Sequence, residues 1–258
     1  MLKFDGNGAR RTERLYASPD VEAQRKYVMS LLAPQPGERV LDVGSGPGYL
    51  LALIAEAVGS TGATHGLEQS LAMNELAAAR TSGTPWAHID EGDAVALPYP
   101  DGTFDAAVST QVYEYVADIT GALSELRRVL RPGGRALILD TDADSLVWHT
   151  ADLELHRRVL AAWEEHLVHP RLPRTLPGLL RRAGFEITGR HVYVMFNPQM
   201  APDSFSIRMM DTMANFVVGR QGLTEADAQA WRADLRARSA EGDYVYSMNR
   251  YVFLVTAI

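Results

Sequence analysis

The chain has 258 residues, 22% of them charged, with a formal charge of −7 and no cysteine. An acidic balance without a long basic run argues against a nucleic-acid partner, because phosphate binding leans on clustered Lys and Arg. The absence of cysteine excludes a disulfide framework and thiolate metal sites. With no signal peptide and no apolar run long enough to span a bilayer, a cytoplasmic location is expected, and the length suffices for one α/β domain.

Residues 1–18 are polar, with two early glycines, and are expected to be loosely ordered. Pro19 to Leu32 has helical spacing, with Val21, Tyr27, Val28, Leu31 and Leu32 on one face, so residues 1–33 read as an N-terminal helical arm. Strands are expected at Arg39–Val43, Ala63–Leu67, Trp86–Ile89, Phe104–Ser109 and Arg135–Asp140. Helices are expected at Leu50–Val58, Ser70–Arg80 and Ile119–Leu130 between them. Strict alternation of strand and helix implies a parallel sheet covered on both faces. Leu176–Ala183 reads as a further helix. Phe185–Phe196 and Tyr251–Ile258 read as strands that form an antiparallel closing pair.

The segment Val40-Leu41-Asp42-Val43-Gly44-Ser45-Gly46-Pro47-Gly48 carries the first chemical signal. An apolar run ends in an acid and passes through a glycine-rich turn into a helix, which suits close backbone approach to a nucleotide-type ligand. A dinucleotide fingerprint needs Gly-x-Gly-x-x-Gly; here Tyr49 stands at the third glycine's place. No Gly-Lys-Ser/Thr phosphate loop exists, since no lysine follows Lys26. Asp42, Glu68 and Asp93 end or follow three successive strands, so they line one crevice at the strands' carboxyl ends. Glu68 lies about twenty residues past the glycine loop, where an acid accepts ribose hydroxyls. Several acids there favour a cationic ligand over a pyrophosphate.

The glycine loop with its acid resembles motif I of the class I S-adenosylmethionine (SAM)-dependent methyltransferases. The stretch Glu91-Gly92-Asp93-Ala94-Val95-Ala96-Leu97-Pro98-Tyr99-Pro100-Asp101-Gly102-Thr103-Phe104-Asp105 resembles the "GDA–LP–DG–FD" segment of their ubiquinone/menaquinone-biosynthesis-like (type 11) family. Thr110-Gln111-Val112-Tyr113-Glu114-Tyr115-Val116 is similar to the family's "leHv" segment, with Tyr115 in place of the histidine. Ser124–Arg135 is similar to its "RVLRPGG" turn. The resemblance spans Tyr27 to Asp140. It implies a Rossmann-like α/β fold: a mostly parallel seven-stranded sheet with an antiparallel last strand and helical lid insertions, in a single methyltransferase domain over 1–258. It also implies SAM as cofactor and S-adenosylhomocysteine (SAH) as product. On this resemblance Gly44, Ser45 and Gly46 contact the methionyl and ribose part, Glu68 holds the ribose, and Gln69 sits beside the adenosine. Met73 packs near the adenine, Asp93 and Ala94 meet its edge, and Thr110 and Gln111 lie near the amino-acid end. Tyr16 closes over the cofactor's carboxylate, as a tyrosine does in related folds.

The acceptor is expected to lie against segments outside this core, 141–173 and 197–242 above all. Residues 200–218 are rich in Met and aromatic side chains and apolar most of the way round. They read as a lid over a partly apolar acceptor or, equally, as a core helix or a homodimer interface. Thr224-x-x-Asp227 reads as a helix cap. His149 and His169, in the insertion after the fifth strand, are candidate general bases, and Tyr113 is a candidate substrate contact. No His-Glu-x-x-His spacing occurs, so no metal is expected. The expected activity is methyl transfer to an O, C or N atom of a small, partly apolar metabolite. The alternatives are a SAM-binding fold with a rearrangement or cyclisation activity, and a non-catalytic binding protein.

Overall fold

A computed structural model of the protein describes residues 6–258, without the side chains at positions 7, 9 and 11; the first five residues of the expected N-terminal arm lie outside the described residues. In chain order the elements are α1 (Gly6–Tyr16), α2 (Pro19–Leu32), β1 (Arg39–Val43), α3 (Tyr49–Val58), β2 (Ala63–Glu68), α4 (Leu71–Thr81), β3 (Ala87–Glu91) and β4 (Phe104–Thr110). They continue with α5 (Ile119–Val129), β5 (Leu130–Thr141), β6 (Val147–Trp148), α6 (Leu153–Glu164), α7 (Leu172–Arg182), β7 (Phe185–Asn197), α8 (Phe205–Val217), α9 (Glu225–Ala240) and β8 (Tyr246–Ala257).

In β1 successive side chains point to opposite faces, yet Val40 and Leu41 are both fully buried, in separate core clusters. A strand buried on both faces needs helices on both sides. On one side α2 and α3 supply Val28, Leu32, Leu50, Ile54 and Val58. On the other, α5 and α7 supply Leu123, Leu126, Leu176 and Leu180. The sheet runs β3-β2-β1-β4-β5-β8, with β7 on the far side of β8. β1 to β5 pair in parallel, and β8 lies antiparallel between β5 and β7. The expected antiparallel closing pair is therefore present. The two-residue β6 adds an eighth strand, pairing only with Tyr246 and Ser247.

Several boundaries differ from the sequence-based expectation. Residues 6–16 form α1 rather than loose chain. Its glycines lie at the helix start, and its far end is secured by Leu15 and Tyr16 packing on a third core cluster. β5 starts at Leu130, not Arg135, because Leu130 pairs with Phe104 before the register shifts around Arg131–Gly134. β8 starts at Tyr246, five residues before the expected Tyr251, and alternates strictly buried and half-buried from there to Val252.

The third core cluster joins the segments outside the sheet: α6, α8 and α9 pack through Val159, Trp163, Met210, Met213, Val217, Trp231 and Leu235. Trp231 Nε1 donates to His156 Nδ1 at 3.1 Å, so this buried polar pair is satisfied. Thr224 and Asp227 form the expected capping box at the start of α9. Among the described residues no helix is long and apolar enough to cross a membrane.

Candidate active site: a cofactor crevice joined to an apolar cavity

The glycine loop leaves β1 by a close-approach turn. Gly44 has φ +70°, and a Cβ there would stand 2.3 Å from Val112 Cγ2. Backbone N–H groups of Gly44 and Ser45 donate to Leu67 O at 2.8 and 3.1 Å, which ties the loop to β2. The Glu68 carboxylate at the end of β2 accepts from Gly46 N at 3.1 Å and from Ser70 N at 2.9 Å. It thus bridges the loop and the cap of α4. Val112 is delivered to Gly44 by Gln111, a non-glycine residue at φ +57°. Gln111 N donates to Leu139 O at 2.7 Å, and its side chain donates to Thr141 Oγ1 at 3.3 Å. A left-handed glutamine held by two bonds is local strain of the kind found at functional sites.

Tyr49 explains how a residue other than glycine opens α3. Its ring lies between two guanidinium groups, Arg80 at 3.6 Å and Arg25 at 4.6 Å from the centroid. Arg80 also donates to Pro47 O and, at 2.9 Å, to Glu13 of α1. Arg25 donates to Tyr16 O at 2.6 Å. These contacts hold α1 across the loop, with Tyr16 Cε2 at 3.6 Å from where a Gly46 Cβ would stand.

The loop, the acids and the segments outside the sheet line one cavity of about 1080 Å³. Every residue expected to bind cofactor lies on its wall: Tyr16, Gly44, Ser45, Gly46, Glu68, Gln69, Met73, Asp93, Ala94, Thr110 and Gln111. The expected catalytic residues do not line it. Tyr113 is buried in the core beside α5, because the turn after β4 points it into the sheet's cover. His149 is exposed, with its backbone bonded to Val245 O. His169 Nε2 is engaged with Val116 O at 3.0 Å.

Glu114, Arg250, Gln24 and His166, all outside the expected set, line the wall instead. Glu114 lies between Tyr113 and Tyr115, on the cavity wall and 2% exposed. Its Oε2 accepts from Thr141 N at 3.1 Å. Burial pushes its carboxyl up to about 7, against the bond from Thr141 and the nearby Arg250 charge. Asp140 is a second buried carboxyl, and its Oδ1 accepts from Glu114 N at 3.4 Å. Burial and the Glu114 charge raise it well above the usual carboxylate range. Arg250 and Gln24 form a polar corner of the cavity. His166 lies against Trp163 and Phe216 at centroid distances of 3.9 and 5.7 Å. Burial lowers it to about 4, so it is neutral at pH 7. The signal for Arg250 was in the chain: Tyr246, Met248, Arg250 and Val252 share one strand face by period two, and the arginine interrupts an apolar row.

Asp42, 2% exposed, is pushed up to about 8 by burial first and by Glu68 second. Its Oδ2 has no hydrogen-bond partner. The folded protein therefore holds this proton more tightly than the unfolded chain does. Its contribution to stability is full below the ordinary carboxylate pKa and is lost as pH rises toward 8. Ligand-free protein is expected to lose about 3 kcal/mol of stability per such group between about pH 5.5 and about pH 8. Chemical denaturation across that range checks this, and Asp42→Asn is expected to flatten the slope; an unchanged slope would contradict it.

Residues 41–138 match the family described as "Methyltransferase domain". Over 176 residues, 68% of this chain and 51% of the relative, the chain is 36% identical to an uncharacterized 37.1 kDa protein in transposon TN4556 of Streptomyces fradiae. Over 119 residues, 45% of this chain and 51% of the relative, it is 43% identical to a 2-phytyl-1,4-naphtoquinone methyltransferase of Synechococcus elongatus. The chain thus spans about half the length of these curated relatives. A putative methyltransferase from Bacillus halodurans superposes with TM-score 0.64 at 17% identity, over 91% of this chain and 98% of that one. The fold is that of the Rossmann-like methyltransferases. The likeness to methyltransferases thus comprises the domain over residues 41–138 and the fold.

Asp42, whose Oδ2 is buried without a partner, Glu68 and Asp93 all line the cavity, a set of carboxyl groups suited to ribose hydroxyls. No group of His, Cys, Asp and Glu among the described residues is arranged to hold a metal ion.

Proposed function

We propose that the protein transfers a methyl group from SAM to a small, partly apolar acceptor. One observation carries this: the glycine-loop crevice and an apolar chamber walled by Leu146, Trp163, Phe205, Met209 and Phe216 are one continuous cavity. SAM supplies an electrophilic methyl on a sulfonium. Glu68 and Gly46 hold the ribose end, Asp93 and Ala94 meet the adenine, and Tyr16 covers the loop. The segments 6–33, 141–173 and 197–242 act as a lid that keeps water out and aligns the acceptor, which is where most of the rate gain arises. The acceptor's nucleophilic atom forms the new bond to carbon as the carbon–sulfur bond breaks, and its proton passes to Glu114. A carboxyl that titrates near neutrality is suited to that task. A homodimer contact and the absence of any nucleic-acid role are part of the same reading, the latter from the acidic charge.

Calorimetric titration of SAH is the direct test. Micromolar binding, about −8 kcal/mol, that weakens in Asp93→Ala and is not matched by NAD is expected. Glu114→Gln is expected to keep SAH affinity and lose turnover of any methyl acceptor. No binding of SAH to the wild type would overturn the reading. Binding without methylated product from any acceptor would favour a rearrangement or cyclisation in the same cavity.

A further inference from the structure

Arg250 projects from β8 into the cavity wall and is 1% exposed. Its Nη1 donates to Gln24 of α2, and its guanidinium lies over the Phe205 ring at 5.1 Å. Its Nε is buried without a partner. Among the described residues no carboxylate forms an ion pair with it within 4.0 Å. Glu114, Tyr16, Tyr115 and Tyr246 are the ionisable groups that face it, and burial raises the pKa of each. An arginine cannot shed its charge to escape burial, and an isolated buried charge costs several kcal/mol. Within hydrogen-bond reach the guanidinium therefore has Gln24, an unpartnered Nε and no carboxylate among the described residues.

We propose that the methyl acceptor is an oxyanion on an apolar, ring-sized skeleton, its carboxylate or ionised acidic hydroxyl seated on Arg250 and Gln24. This rests on reading the apolar half of the cavity as the acceptor's chamber. The skeleton lies against Phe205, Trp163, Met209 and Phe216, a wall that accepts flat apolar surface. Arg25, stacked on Tyr49 beside the glycine loop, also lines the cavity and offers the cofactor's carboxylate a second cation. A guanidinium also recognises a planar carboxylate through two parallel bonds, which gives the acceptor a fixed orientation about the transferred methyl.

The test uses 2-naphthoate and its uncharged counterpart 2-naphthamide, titrated into SAH-loaded wild type, Arg250→Met and Arg250→Lys. The naphthoate is expected to bind the wild type at least tenfold more tightly than the amide. Arg250→Met is expected to erase that preference while SAH affinity stays within threefold, and Arg250→Lys to retain part of it. Ligand-free Arg250→Met is expected to melt at or above the wild-type temperature, since an unpaired buried charge is removed; this shows that the variant folds. Equal binding of the two probes, including binding of neither up to millimolar concentration, overturns the proposal. So does an Arg250→Met variant that loses SAH affinity but keeps the preference, which would assign the arginine to the cofactor. If the wild type binds no SAH, the methyltransferase reading fails by itself. The same probe pair on ligand-free protein then still decides whether Arg250 is an anion site.

Discussion

Replacing Gly44 by alanine is expected to destabilise the fold by about 3 kcal/mol and to abolish SAH binding. Two effects add. At φ +70° an L side chain is strained by about 1–2 kcal/mol. The new methyl would also meet Val112 at Cγ2, Cγ1 and Cβ, at 2.3, 3.0 and 3.2 Å, so the whole side chain must move, at about 1–3 kcal/mol for overpacking. Val112 cannot move alone, because it follows the left-handed Gln111 anchored to Leu139 O. Gly46→Ala is the informative control. Its Cβ would meet only Tyr16 Cε2, at 3.6 Å, so the fold bears backbone strain and little else. If the loop cradles the cofactor, Gly46→Ala still loses SAH affinity while melting within a few degrees of wild type. A Gly46→Ala variant with wild-type affinity, or a Gly44→Ala variant with both properties intact, would refute this account of the loop.

Glu68→Ala is expected to weaken SAH binding about 1,000-fold, or about 4 kcal/mol. Hydrogen bonds to a charged group contribute about 1.5–3 kcal/mol each, and a ribose offers two hydroxyls. The carboxylate has a second task, since it accepts from both Gly46 N and Ser70 N. Its loss therefore also frees the glycine loop from the cap of α4. Glu68→Gln separates the two: it keeps one acceptor oxygen for the backbone and loses the symmetric pair needed for a diol. Calorimetry on both variants is expected to place Glu68→Gln between wild type and Glu68→Ala. Undiminished affinity in Glu68→Ala would move the ribose elsewhere.

The cofactor half of the site was legible because its chemistry is local. Gly44, Glu68 and Asp93 each sit next to a strand end that apolar runs mark, and a parallel sheet brings strand ends together by construction. The acceptor half was not legible in that way. His149 and His169 are conspicuous in sequence, but whether a side chain faces a cavity depends on how α6 and α7 pack, and no local pattern encodes that. Glu114 and Arg250 are 136 positions apart by number (250 − 114) and meet only through the β5–β8 pairing that sets Thr141 opposite Arg250. Tyr113 shows the limit from the other side: its neighbours in sequence face the cavity, and one step along a 3₁₀ turn sends it into the core. α1 was missed because its helix is held by tertiary contacts, chiefly the Glu13–Arg80 pair and the packing of Leu15, which outweigh two helix-disfavouring glycines.

The placement of β8 sets an order of assembly. Strands β1 to β5 pair among themselves, whereas β5 and β7 are joined only through β8, a strand translated after both. Between Asn197 and Tyr246 the ribosome must deliver α8 and α9, a delay of a few seconds at about 5–20 residues per second. For that interval β7 and one edge of β5 lack the strand that pairs with both, the condition under which chains pair with the wrong partner. The glycine loop can close on Glu68 before the delay begins, while Arg250 arrives with the strand that ends it. In vivo, the vulnerable period of this protein is thus the synthesis of α8 and α9.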